Sequence, residues 1–313
     1  MDWKKIWDGI GDGAGEAGKP PAPKYPWIPA DKNPWKIPVL DVRPLTTSML
    51  STSQDPTCAS NASSYGHEDG LCFVGQKPPL DRSLPVALQF RRDRLLADGV
   101  LFQPQAMEHK WAVFVHSGRL LFIRSWLRQV LAVADIVQEG DRINVVRLTG
   151  SFTGDKAEDP GLAVRTLEYL IWSHGVGLQW PAPLPAGLEK DPHHAAMYCF
   201  SAFGKMAHFA AALQPAGPAS PIPLRSHSLL HIAVARTDPA AVDAQLRAGI
   251  PIDLLAGDGL PPMHWALATE GLSMLEFLLS KGSPVDVRSA EGATTLMGAA
   301  QGAKPEQLEW LLA

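Results

Sequence analysis

From about residue 225 onward the chain repeats at a fixed interval of 33 residues, and that period constrains the fold more than any other feature of the sequence. Leu230-His231-Ile232-Ala233 recurs as Met263-His264-Trp265-Ala266 and again as Leu296-Met297-Gly298-Ala299. Gly249, Asp253 and Gly259 recur one period on at Gly282, Asp286 and Gly292. Such a pattern predicts short helix pairs, each too small to cover its own apolar face, which therefore need to stack. Leu246, Leu275, Leu278, Leu279, Leu308 and Leu311 fall on the packed side of the second helices. Gly249 and Gly282 stand where a left-handed backbone ends those helices.

Pro261-Pro262-Met263-His264 resembles the Thr-Pro-Leu-His tetrapeptide of the ankyrin family, and Leu278-Leu279-Ser280-Lys281-Gly282 resembles the way its second helix closes. The resemblance spans residues 225–313 and implies an all-α ankyrin repeat solenoid of about three repeats. It further implies a protein partner held on the concave face, at Arg236, Leu255, Asp258, Leu260, Thr269, Arg288 and Glu291. By the same resemblance His231 and His264 are structural, bonding neighbouring turns, rather than catalytic or metal-binding. The first repeat departs with Ser228-Leu229-Leu230-His231, and the third has Met297 where the histidine belongs. The sequence reaches Ala313 inside the last expected helix, which suggests a truncated array whose N-terminal cap is a helix expected over 192–213. Richness in Ala, Pro and Arg suggests a bacterial ankyrin-containing protein.

Upstream, composition divides the chain. Residues 1–36 form a Gly/Pro-rich tail, in which Trp27 and Trp35 are too apolar to leave in solvent and are expected to lie on the next domain. Residues 37–213 read as an α+β domain and 214–224 as a proline-rich linker. In the α+β domain, 48–75 is a long polar loop, and Trp111-Ala112-Val113-Phe114-Val115 followed by Leu120-Leu121-Phe122-Ile123 is a hairpin signal. Two more apolar runs, 130–137 and 142–148, extend it to an antiparallel meander of about four strands. Asp159-Pro160 and Asp191-Pro192 each place an N-cap before a helix-starting proline, which predicts two helices.

Lys and Arg total 28 against 32 Asp and Glu, a formal net charge of -4, and residues 225–313 carry 6 basic and 10 acidic side chains. A nucleic-acid partner is therefore not expected. No apolar run is long enough to span a membrane, and residues 1–10 carry no secretory pattern. Three unpaired cysteines, Cys58, Cys72 and Cys199, fit a cytoplasmic setting. Residues 13–20, GAGEAGKP, miss a phosphate-binding loop because Pro20 replaces the hydroxyl residue. Cys58, His67, Glu68, Asp69 and Cys72 lack the paired spacings of a metal site, so no metal and no cofactor are expected. The function expected is a protein-interaction or regulatory module. The alternative is an enzyme whose N-terminal domain uses Cys58, His67 and Asp69 while the repeats recruit a protein substrate.

Overall fold

The computed structural model describes residues 25–218 and 222–313, so the expectations for residues 1–24, including the glycine-rich 13–20 segment, lie outside the described residues. A small sheet begins with β1 (Trp27–Ile28) and β2 (Val39–Asp41) and is completed much later in the chain by two short strands, Ala182–Pro183 and Phe209–Ala211. Trp35 is buried there against Phe209, so this part of the aromatic segment does lie on the domain.

The dominant element is a seven-stranded sheet of antiparallel neighbours. Six of its strands are consecutive: β3 (Ser83–Arg91), β4 (Gly99–Phe102), β5 (Trp111–His116), β6 (Arg119–Arg124), β7 (Gln129–Glu139) and β8 (Arg142–Gly150). With β9 (Ala182–Pro183) and β10 (Phe209–Ala211) assigned to the small sheet, the seventh strand is β11 (His227–Ser228), and the order is β11-β4-β5-β6-β7-β8-β3. The four runs read from the sequence are β5 to β8, the middle of this larger sheet. Successive side chains alternate between its faces. Trp111, Val113, Val115, Leu120 and Phe122 enter one core, while Ala112, Phe114, Leu121 and Ile123 enter another on the opposite face.

The first core is closed by two helices. Helix α1 (Arg43–Thr46) and helix α2 (Pro56–Ser63) precede the large sheet, and α3 (Pro160–Leu170) and α4 (Pro192–Phe203) follow it. Asp159 and Asp191 cap α3 and α4 as the Asp-Pro pairs predict, each side chain accepting backbone N–H groups of the first turn. The helix expected over 192–213 stops at Gly204, however, and 209–211 is strand β10. Gly204 has φ +67°, and a Cβ there would stand 1.6 Å from the carbonyl oxygen of Glu108, so the chain must turn at this point and only glycine fits. Helix α4 buries Cys199, Phe200 and Phe203 in the first core and is not a cap for the repeats. The polar loop of 48–75 also holds more order than expected, because Asp55-Pro56 starts α2 by the same device.

The C-terminal third holds three helix pairs: α5 (Leu229–Ala235) with α6 (Pro239–Arg247), α7 (Pro262–Ala266) with α8 (Ser273–Ser280), and α9 (Thr295–Gln301) with α10 (Pro305–Leu312). They share a core of Leu230, Val234, Met263, Leu275, Leu278 and Ala299. The expectation of an all-α ankyrin repeat solenoid following a separate domain is nevertheless corrected. The molecule is a sheet-rich α+β fold, and this third is not an all-helical stack. It opens with β11, which hydrogen-bonds to β4 as a strand of the large sheet. Leu229 N–H then donates to Asp98 O (2.8 Å), Ser226 Oγ to Ala97 O (2.6 Å) and Arg225 Nε to Asp93 Oδ1 (3.0 Å). Ile232 packs into the core on the sheet's second face. The period shows that each helix pair needs a neighbour, but it does not say that every neighbour is another helix pair.

What the period does correspond to is a hydrogen bond made twice. His231 Nε2 and His264 Nε2 each lie 3.1 Å from a carbonyl oxygen 29 residues on, of Leu260 and Ala293. Both rings are buried. Among the described residues no helix is long and apolar enough to cross a membrane.

Burial pushes His231 down to about 3, and His174, enclosed in the first core, down to about 3 as well. An unfolded chain protonates both near pH 6.5, so between pH 6.5 and 3 it binds more protons than the native state and stability falls as pH falls. Urea unfolding at pH 7.5, 5.5 and 4.5 is expected to show this loss, at up to about 1.4 kcal/mol per pH unit for each histidine. His231→Asn should flatten the slope; an unchanged slope would show that His231 does not contribute.

Candidate functional site

Two segments far apart in the sequence meet beside β4. The 3-10 turn Ser64–His67 and the residues after it are pressed onto the sheet's second face, where Gly70 (φ +86°) lets the backbone approach Phe114 and His116 to a distance that a Cβ would not allow. Helices α5 and α7 face this segment. Between them lies a cleft of about 420 Å³ with Val100, Ile232 and Trp265 as apolar surface and His67, Gln103 and His227 as polar groups. Trp265 Nε1 donates to Asp258 Oδ2 (3.0 Å), and its ring lies 5.4 Å from that of His227. Burial lowers the His227 pKa below the usual histidine value, with Asp258 opposing, which leaves the ring neutral at pH 7. Its Nδ1 is buried and has no hydrogen-bond partner among the described residues.

The structure joins two residues that the sequence assigned to different roles. Arg236 Nη1 donates to Asp69 Oδ2 at 3.0 Å and Nη2 to the His67 carbonyl at 2.6 Å, so this ion pair closes one end of the cleft. Arg236 is thus engaged within the molecule, and the Asp69 carboxylate is committed to it. Cys58 sits on α2 and makes no hydrogen bond to His67, nor does His67 to the Asp69 carboxylate, so Cys58, His67 and Asp69 are not assembled as a hydrogen-bonded set. Cys72 lies 3.8 Å from Arg128 Nη2, but burial, together with Glu68, raises its thiol above the usual range. Cys199 is raised further by complete burial.

The remaining positions implied by the resemblance differ in character. Asp258 holds Trp265 and the Leu260 amide; Thr269 is buried with its hydroxyl on the Ala266 carbonyl. Leu255 and Leu260 are half-buried, Arg288 donates to the Gly292 carbonyl, and Glu291 is exposed. Among the described residues no group of three or more His, Cys, Asp or Glu is placed to hold a metal ion.

A second cluster lies at the end of the large sheet where β5 begins. Lys110 is buried, its Nζ donating to Ser51 Oγ at 2.6 Å and to the Met107 carbonyl at 3.1 Å, 4.0 Å from the centre of the Trp126 ring. Burial lowers the Lys110 pKa to about 7, the charge of Arg124 adding to the effect and Glu108 opposing it. Burial pulls the Glu108 carboxyl upward, but the Ser51 amide at 2.8 Å, its own amide and the nearby Lys205 and Lys110 hold it below the usual carboxylate range. A hydroxyl in contact with an amine that is half unprotonated at neutral pH is the arrangement of a serine nucleophile with a lysine base. Sequence reasoning missed this pair because Ser51 and Lys110 lie 59 residues apart. The signal available was a lysine immediately before the apolar run of residues 111–115 in β5.

No protein-family model matches the chain, and no curated protein shows significant similarity to it. The ankyrin resemblance therefore has no support from family comparison, in agreement with the architecture.

Lys110 supplies a test of this environment. Its folded pKa lies below the ordinary lysine value near 10.5, so above about pH 7 the unfolded state binds more protons and stability rises with pH. Denaturant unfolding is expected to show this rise between pH 7 and 9, before the buried thiol of Cys199 acts in the opposite sense. Lys110→Met should remove it; a rise that persists in the variant would place the Lys110 pKa near its ordinary value.

Proposed function

We propose that this protein is a protein-recognition module whose cleft between the 64–71 segment and helices α5 and α7 takes a short extended segment of a partner protein. One observation carries the reading: the cleft sets the half-buried side chains of Trp265 and Ile232 beside the polar groups of His67 and Gln103. An extended backbone carries donors and acceptors for those polar groups along with side chains for an apolar floor. Trp265 and Ile232 supply that floor, and a half-buried tryptophan is the residue type that most often dominates recognition energy.

The test is capture and photo-cross-linking of partners with the full chain, followed by affinity measurement for each. Trp265→Ala is expected to weaken a cleft-bound partner at least about tenfold, while Glu291→Ala, at an exposed turn, should leave it unchanged. Partners that bind the Trp265 variant with full affinity would place recognition elsewhere on the surface.

The contact between Ser51 and Lys110 supports a second reading, acyl transfer. Ser51 Oγ would attack the carbonyl carbon of an ester or amide, while the unprotonated Lys110 amine takes the hydroxyl proton and returns it to the leaving group. A fluorophosphonate probe reports on such a serine by forming an O–P bond with loss of fluoride. Labelling that rises through about pH 7 and is absent from Ser51→Ala and Lys110→Met supports this reading. An unlabelled wild-type protein would end it.

A further inference from the structure

A different cavity lies on the first face of the large sheet, at the end of the β5–β6 hairpin away from its turn. Its volume is about 310 Å³, roughly twice the ~150 Å³ of a cavity that accommodates benzene. The walls are mostly apolar, with Trp111, Leu131, Phe152 and Phe203 among them, and Arg124 and Tyr198 share the lining with the uncharged Gln129, Thr153 and Thr166.

Arg124 is placed by register and by a helix end. It stands opposite Trp111 across the hairpin and lies 5.3 Å from that ring. Nη1 donates to the Ala202 carbonyl at 2.9 Å and Nη2 to the Ser201 carbonyl at 2.7 Å, at the C-terminus of α4, where the helix dipole favours a cation. These bonds hold the guanidinium but use only two of its five N–H donors. Among the described residues no carboxylate forms an ion pair with it. Tyr198 sits one turn back on α4, and among the described residues its hydroxyl has no hydrogen-bond partner.

Burial lowers the Arg124 pKa to about 10, which leaves the group fully charged at neutral pH. An apolar cavity that contains an unneutralised planar cation and a free phenol is complementary to one kind of ligand: an apolar body ending in an oxyanion. A cation is repelled by Arg124. A neutral hydrocarbon would bury the guanidinium further without compensation, at a cost in desolvation.

We propose that this cavity binds a small organic monocarboxylate. The carboxylate accepts N–H donors of Arg124 and the hydroxyl of Tyr198, while a ring or medium-length alkyl chain lies against Phe152, Leu131 and Phe203. The site is independent of the cleft that faces α5 and α7, and its occupancy does not require the protein-recognition reading to hold.

The experiment is calorimetric titration of the full chain at pH 7 with 3-phenylpropanoate and octanoate, each compared with its alcohol, 3-phenylpropan-1-ol and octan-1-ol. The acids are expected to bind at one site and at least about tenfold more tightly than the alcohols, because only the acids form charge-assisted bonds. Arg124→Gln should remove the preference for acid. Tyr198→Phe, which leaves the helix-end contacts of Arg124 in place, should weaken the acids roughly threefold or more and leave the alcohols unchanged. Equal binding of acid and alcohol by the wild-type protein overturns the proposal without any variant. So does a preference that survives both substitutions, or the absence of binding by either acid at millimolar concentration.

Discussion

The burial of β5 on both faces is the constraint from which the rest of the architecture follows. All six of its residues are inaccessible, and the alternation of side chains along a strand means that one core cannot account for this. Trp111, Val113 and Val115 require cover on one side; Ala112 and Phe114 require it on the other. Helices α3 and α4 lie directly after the meander and cover the first face, as a short connection allows. No comparable element follows in sequence for the second face. Its cover is assembled from Tyr65 and Phe73 upstream and Ile232 far downstream. The ion pair between Asp69 and Arg236 fastens those two pieces together, and the cleft is the seam that they leave.

The same arrangement concentrates buried charge at one end of the sheet. Lys110 immediately precedes β5 and Arg124 ends the neighbouring β6; among the described residues neither forms an ion pair with a carboxylate, and each rests against a tryptophan ring while donating to backbone carbonyls. Aromatic faces and carbonyl dipoles offset part of the desolvation of a cation but do not neutralise it. A fold selected for stability alone would place apolar side chains there, and perturbed groups of this kind cluster where a protein binds or reacts. His174 and His231 are perturbed too, but with a different meaning. Each is enclosed by packed rings and has Nδ1 beside a serine hydroxyl, so its low pKa reflects burial in a core rather than a site open to ligand.

Differences among the helix pairs have a local cause as well. Ser228, Pro261 and Thr294 occupy equivalent positions one period apart. Ser228 and Thr294 cap their helices through side-chain oxygens, and Ser228 also partners His231 Nδ1. Proline at 261 can do neither, and His264 Nδ1 has no partner among the described residues. The repeat is therefore regular in backbone and irregular in polar detail, which is the level at which recognition is decided.

Local structure was legible in the sequence wherever the physics is local. Asp-Pro pairs mark helix starts at residues 159 and 191, and the structure shows the same device at 55 and 238. Continuous apolar runs marked β5 to β8, and the 33-residue interval marked the positions of His231 and His264. The helix starts and strands depend on dihedral preferences and local hydrogen bonds, and the histidine bonds span 29 residues, less than one repeat. The tertiary structure alone decided that β11 joins β4, that Arg236 turns toward Asp69, that Ser51 meets Lys110 and that Arg124 shares a cavity with Tyr198. Those pairs lie 59 or more residues apart, and what unites them is the burial of two sheet faces by whatever chain is available, a condition on the whole molecule that no window of sequence contains.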